Sequence, residues 1–172
     1  SRAWELIVGG MKKLGLNPAD IKYAVVSHPH PDHDGGAFYL QEHFGTKVIM
    51  SPADWDVLDR TNGSKPMRDM VATDGQKLTL GDTTITLIQL PGHTPGTIGM
   101  IVPAKFQGRT HQVMVMSGTQ MPTQDSLDAF KHVFNDEAKK LNVETFLGSH
   151  PDILMNSLML MEQIRDAYPT GA

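Results

Sequence analysis

Ser27-His28-Pro29-His30-Pro31-Asp32-His33-Asp34-Gly35-Gly36 stands directly behind the short apolar run Tyr23-Ala24-Val25-Val26. The run reads as a buried strand, so the histidines fall in the loop that leaves its end. A strand end is rigid, and the loop beyond it can aim several side chains at one point. His28, His30, Asp32 and His33 put four metal-ligand types into six residues. In an extended loop His28 and His30, two apart, reach the same ion. Asp32 and His33 are adjacent, so their side chains diverge and suit a second ion. Pro29 and Pro31 restrict φ and lower the entropy of the unfolded chain, which helps to hold the array. An ordinary solvated loop explains one histidine, not this spacing. Neutral imidazoles with one carboxylate and no thiolate suit zinc best, and are compatible with iron and manganese.

Two further histidines share this setting. Pro91-Gly92-His93-Thr94-Pro95-Gly96-Thr97 follows an alternating segment at 83–90, and Leu147-Gly148-Ser149-His150-Pro151 follows a short strand at 145–147. Alone, each histidine reads as a surface residue; beside the first cluster, ligation is the better reading. The other histidines have plainer explanations. His132 lies off the apolar stripe of its helix and reads as solvated. His43 stands near a helix C-terminus, where the dipole favours it. His111 begins a strand after a polar loop. Asp34 reads equally well as a support for a ligand or as a solvated carboxylate.

The chain has 172 residues, which suits one domain, and 40% of them are hydrophobic, enough for a substantial core. Lys and Arg number 15 against 19 Asp and Glu, for a net charge of −4, which argues against a nucleic-acid module. No apolar run of membrane-spanning length and no signal-peptide pattern is visible. Cysteine is absent, so disulfides and thiolate chemistry are excluded. The 11 methionines, Met155 and Met159 among them, read as core filling.

The spacing of Trp4, Ile7, Val8, Met11 and Leu14 predicts an amphipathic helix over 3–14. Asn17-Pro18 reads as a helix cap, and Ala37, Leu40, Gln41 and Phe44 mark a second helix. Ser51-Pro52-Ala53-Asp54 is a helix start, with a capping hydroxyl, Pro at the first position and a carboxylate three residues on. Strands are expected at 47–50, in a hairpin turning at Gly81-Asp82, at 98–102, at 113–116 and at 145–147. Leu127, Phe130, Phe134, Ala138 and Leu141 mark a helix, and 157–167 a last one. This alternation predicts an α/β layered domain.

The pieces "SHPHPDHDGG", "LPGHTPGT" and "FLGSH", in this order, resemble the metallo-β-lactamase superfamily, over nearly the whole chain. The resemblance implies an αββα sandwich with metals at the edge between its two sheets. It implies that His28, His30 and His93 hold one ion and that Asp32, His33 and His150 hold another. It also implies a zinc-dependent hydrolase of a small molecule, with Asp32 orienting the attacking water and accepting its proton, and no serine or cysteine nucleophile. The bond is a β-lactam-like cyclic amide or an ester. Most of the superfamily has a metal-bridging Asp in a strand-end "GD" turn; here Met116-Ser117-Gly118-Thr119 puts Thr119 at that place. The third subclass of metallo-β-lactamases also lacks the bridge, so the pattern is most similar to that subclass. Lactonases, thioesterases and persulfide-oxidising iron oxygenases keep the bridging Asp, which counts against them. A metal-binding module without turnover is the reading from another class.

Members of this family open with several strands ahead of the helix that begins here at Ala3. The resemblance therefore implies a chain shortened at its N-terminus, with an open sheet edge, exposed apolar surface and self-association. It further implies a bacterial periplasmic or secreted protein.

Overall fold

The computed structural model describes residues 3–118 and 123–150, together with Gln163 and Asp166. The elements run in the order α1 (Ala3–Lys13), a 3-10 turn (Pro18–Asp20), β1 (Tyr23–Val25), α2 (Pro31–Asp34), α3 (Ala37–Phe44), β2 (Lys47–Met50), α4 (Pro52–Asp59) and β3 (Met70–Val71). Then come β4 (Lys77–Leu80), β5 (Thr83–Gln89), β6 (Ile98–Phe106), β7 (Arg109–Met116), α5 (Gln124–His132), a π-helical turn (Val133–Glu137), α6 (Ala138–Lys140) and β8 (Val143–Gly148). The helix expected at 157–167, with Met155 and Met159, and the position of Thr119 lie outside the described residues.

Two sheets form. The first is parallel, in the order β1-β2-β3; the second runs β4-β5-β6-β7-β8. In the second sheet β4 to β7 are antiparallel neighbours, and β8 lies parallel to β7. The β4-β5 and β6-β7 hairpins turn on two residues. Leu80 pairs with Thr83 across Gly81 at φ 61°, and Phe106 pairs with Arg109 across Gln107 at φ 47° and Gly108 at φ 74°. The left-handed pair at the second tip matches the twist of its flanking strands. The second hairpin extends β6 and β7 beyond the apolar runs at 98–102 and 113–116. Its outer rungs carry polar residues such as Lys105 and Thr110, which are partners in the ladder. His111 therefore lies inside β7, not at its start, and its Nδ1 contacts Glu144 Oε2 at 2.9 Å.

The layers follow from side chains alternating along strands. In β2, Val48 and Met50 face outward and pack with Val26, Ala37, Trp55 and Leu58 from under α3 and α4. Ile49 between them faces inward and meets Leu87, Ile98 and Ala72 across the sheets. In β5, Leu87 is inward, while Ile88 joins Leu90, Ile101, Met114 and Met116 beneath Val133 and Ala138. Helices, sheet, sheet, helices: this is the αββα sandwich. Each fully buried large apolar side chain contributes about 1.5–3 kcal/mol.

The helix starts are built as their sequences imply. Asn17 Oδ1 accepts from Ala19 N at 3.1 Å, and Ser51 Oγ accepts from Asp54 N at 3.2 Å. Ser51→Ala is expected to lower stability by about 1 kcal/mol, read as a shift of the urea midpoint; an unchanged midpoint contradicts the cap. The Asp54 carboxylate, by contrast, does not close a capping box. It leaves its own helix for the loop that carries His93. Helix α1 is less buried than its stripe implies. Trp4 stacks 4.0 Å from Tyr39 and Ile7 lies against Gly36, but no residue of it is fully buried.

Candidate metal centre

Topology brings the histidine-bearing strand ends together. β5, β7 and β8 run in the same direction, so their C-terminal ends meet at one edge of the second sheet. β1 delivers its C-terminal end to the same edge, where Ile98 N donates to Ser27 O at 2.9 Å and stitches one sheet to the other. His28 follows at this seam and is 0% exposed. His30 is extended, at φ −90° and ψ 145°, as the residue before a proline prefers. Pro31 then opens a single helical turn, so Asp32 and His33 stand on α2 and not in an extended loop. Pro at the first helical position needs no N–H there. The turn directs both side chains to one place: Asp32 Oδ2 lies 3.2 Å from His33 Nε2.

His93 enters from the turn after β5, closed by Leu90 N to Thr97 O at 2.8 Å. On one side of it lies Gly118, at φ 72°, where a Cβ would stand only 2.5 Å from that of His93. His150 enters after β8, where Ser149 N donates to Met116 O at 3.0 Å.

The six side chains form two triads. Within each, one donor atom per residue lies within 4.8 Å of the others: His28, His30 and His93 in one, Asp32, His33 and His150 in the other. His93 Nε2 is 3.2 Å from His30 Nδ1. His33 Nε2 is 3.0 Å from His150 Nε2, whose distance to Asp32 Oδ2 is 3.3 Å. Two donors bound tetrahedrally to one zinc ion stand about 3.3 Å apart, given bonds of about 2.0–2.1 Å. The spacing therefore fits the edges of a coordination polyhedron.

A second observation tests the fit. The buried Nε2 of His28 finds no hydrogen-bond partner among the described residues. Its other ring nitrogen is provided for: Nδ1 lies 3.2 Å from Ser27 Oγ and 3.3 Å from Ser117 Oγ. A proton on Nδ1 leaves a bare lone pair at Nε2, on a ring that packs in edge contact with those of His30 and His93. A buried polar atom without a partner costs about 1–3 kcal/mol, and a bound cation removes that cost. The donor set and its geometry thus fit a divalent metal.

Electrostatics favour neutral His28 and His33 and a charged Asp32, the forms able to bind a metal. Burial, reinforced by His33, His93 and His30, lowers the His28 pKa to about 3. Burial also lowers that of His33, helped by His150 and opposed by Asp32. Some desolvation raises Asp32, but its own backbone hydrogen bond and the neighbouring histidines prevail and hold it below the ordinary value. In the metal-free protein His28 gives pH-dependent stability. Between pH 6.5, its ordinary value, and about 3, the unfolded chain binds a proton that the folded one refuses. Stability is then full above 6.5 and is lost progressively as pH falls toward 3. The urea midpoint of metal-free protein is expected to be lower at about pH 5 than at about pH 7.5; an equal or higher midpoint contradicts this.

Several supporting residues escape a sequence reading. Ser117 Oγ touches His28 Nδ1 and, at 3.5 Å, His33 Nδ1, and it accepts from Ser149 Oγ at 3.0 Å. The repeated Ser-His pairs, Ser27-His28 and Ser149-His150, were a usable signal; Ser117 carried none. The bystander histidines stand apart from both triads. His132 pairs with Asp136 at 2.6 Å, and His43 Nδ1 meets the Tyr39 carbonyl at 3.1 Å, as its helix-end position implies. Asp34 is half-buried, and burial raises its pKa against its own backbone hydrogen bond.

The chain is 29% identical over 126 residues to the hydroxyacylglutathione hydrolase GloC of Haemophilus influenzae, covering 66% of this chain and 58% of that protein. It is 32% identical over 108 residues to the N-acyl homoserine lactonase AttM of Rhizobium radiobacter, covering 55% of this chain and 41% of that one. The chain thus spans little more than half the length of these relatives at most. The subclass B3 metallo-beta-lactamase BJP-1 of Bradyrhizobium japonicum superposes with a TM-score of 0.76 at 24% identity, over 96% of this chain and 69% of that structure, a likeness of fold. The sequence model of the metallo-beta-lactamase superfamily matches residues 1–105, which carry five of the six clustered side chains. By that match, extending over more than half of its length, the chain belongs to the metallo-beta-lactamase superfamily.

Proposed function

We propose that this chain carries the centre of a zinc-dependent hydrolase of activated acyl bonds. The observation that supports this most strongly is the convergence of two donor triads on one seam, with the His28 Nε2 lone pair bare and buried. His28, His30 and His93 would hold one divalent ion and Asp32, His33 and His150 another, and ions bound there would supply Lewis acidity toward a water and an acyl oxygen. The side chains do the rest. Asp32, 58% exposed at the side chain, stands at the open face of its triad. It orients the attacking water, accepts its proton and passes a proton to the leaving group. Water adds across the acyl bond, giving a carboxylic acid and the freed alcohol, thiol or amine. His28 stays neutral and fixed through its serine contacts.

Two substrate readings have separate support. Thr119, where the lactonase and thioesterase patterns have an Asp, favours a β-lactam-type amide. The names of the sequence relatives, a hydroxyacylglutathione hydrolase and a lactonase, favour a thioester or lactone. Zinc-loaded protein is to be assayed on a chromogenic cephalosporin, a homoserine lactone and a hydroxyacyl thioester. Turnover of one or more, lost on chelation and restored by zinc, is the expected result. Bound metal without turnover of any of the three contradicts the hydrolase and favours a metal-binding module. Iron with oxygen uptake favours an oxygenase.

A further inference from the structure

The Asp54 carboxylate is 0% exposed, and among the described residues no Lys or Arg forms an ion pair with it. Burying an anion without a cation costs several kcal/mol unless hydrogen bonds replace its water. Both oxygens are used. Oδ2 accepts from Thr94 Oγ1 at 2.7 Å, and Oδ1 accepts from Gly96 N at 3.0 Å. The loop closes around the same point: Thr94 N donates to Thr97 Oγ1 at 3.0 Å, and the two threonine hydroxyls are 2.7 Å apart. Gly96 lies so close to α4 that a Cβ there would run into Ser51 Oγ and stand 2.8 Å from Asp54 Cγ. The clasp thus grips residues 94–97 against the first turn of α4. His93 is the next residue out, held on another side by Gly118 and presented to His28 and His30.

We propose that Asp54 is a positioning residue for His93: its carboxylate sets the Thr94–Thr97 loop so that the His93 imidazole completes the three-histidine triad. The inference rests on the reading of that triad as a metal site. It places the anchor of one ligand in a different element, 39 positions earlier in the chain. α4 is itself fastened to the core by Trp55, which is fully buried and donates from Nε1 to Met70 O at 2.8 Å. The ligand is therefore referenced to the rigid first sheet although it hangs from the second.

Cobalt(II) titrated into metal-free protein, followed by its visible absorption, tests this. His30→Ala and His150→Ala serve as references that each lack one triad. Asp54→Ala and Thr94→Val are expected to weaken the three-histidine site about 10–100-fold and to alter its absorption, while the Asp32/His33/His150 site changes by less than about threefold. Asp54→Asn is expected to stay within about threefold of wild type, because an amide oxygen accepts from Gly96 N and its NH2 donates to Thr94 Oγ1. If Asp54→Ala does not fold, Thr94→Val and Asp54→Asn decide the matter. Unchanged cobalt affinity in Asp54→Ala and Thr94→Val, or parallel weakening of both sites, overturns the positioning role and leaves the metal reading intact. Failure of the wild type itself to take up cobalt overturns the metal reading, and the inference with it.

Discussion

His30→Ala is expected to remove metal binding at the three-histidine triad and turnover together. His30 is the cleanest ligand to delete. Its side chain is exposed, and its recorded contacts are the His93 nitrogen at 3.2 Å and ring-edge contacts with His28 and His93. Removing it opens no cavity, so the fold should survive. The fully buried His28 offers no such separation, because its loss would vacate the seam between the sheets. Outer partners of metal ligands are worth about 10–100-fold in affinity, so a ligand itself should be worth more than about 100-fold. The variant is to be checked for an unchanged circular dichroism spectrum, then for metal content after dialysis and for turnover. A folded variant with full activity rejects the assignment of His30 to the centre.

Asp32→Asn is the second large effect. The substitution keeps an oxygen close to His33 Nε2 and His150 Nε2, now 3.2 and 3.3 Å from the carboxylate. It removes the charge and the ability to take a proton. Loss of a positioned proton acceptor costs about 10²–10⁴-fold in rate. The expected pattern is a fall in kcat of that size on whichever acyl substrate the wild type turns over. Weaker metal uptake at the Asp32/His33/His150 triad should accompany it, with the three-histidine site retained. A variant with weakened metal binding but normal kcat at saturating zinc would confine Asp32 to ligation and remove its catalytic role.

How far these residues could be read from sequence depends on whether their partners are local. His28, His30, Asp32 and His33 are legible because six consecutive residues carry them behind an apolar strand. His93 and His150 are legible only by analogy of setting, since nothing near them in sequence says where they point. The alternation of Val48, Ile49 and Met50 carries the layering directly, each residue facing the cluster its parity requires. The reach of β6 and β7 is not legible from apolar runs, because the outer rungs are polar and held by backbone pairing and a left-handed turn at Gln107-Gly108. Asp54 is the instructive case. Its position three residues after Ser51 makes a local capping role the natural reading. The carboxylate instead serves Thr94 and Gly96, through pairings 40 and 42 residues apart that only the folded chain creates. Ser117 is similar: its contact with His28 spans 89 positions.

The two triads as cation sites are the centre of this account, and diffraction from zinc-soaked crystals, with anomalous data at the zinc edge, tests them most directly. The account predicts an anomalous peak bonded at about 2.0–2.1 Å to nitrogens of His28, His30 and His93, with His28 binding through Nε2. A second peak is predicted among Asp32, His33 and His150. Zinc found only at scattered surface sites, with the His28 Nε2 still facing an empty seam, would contradict it.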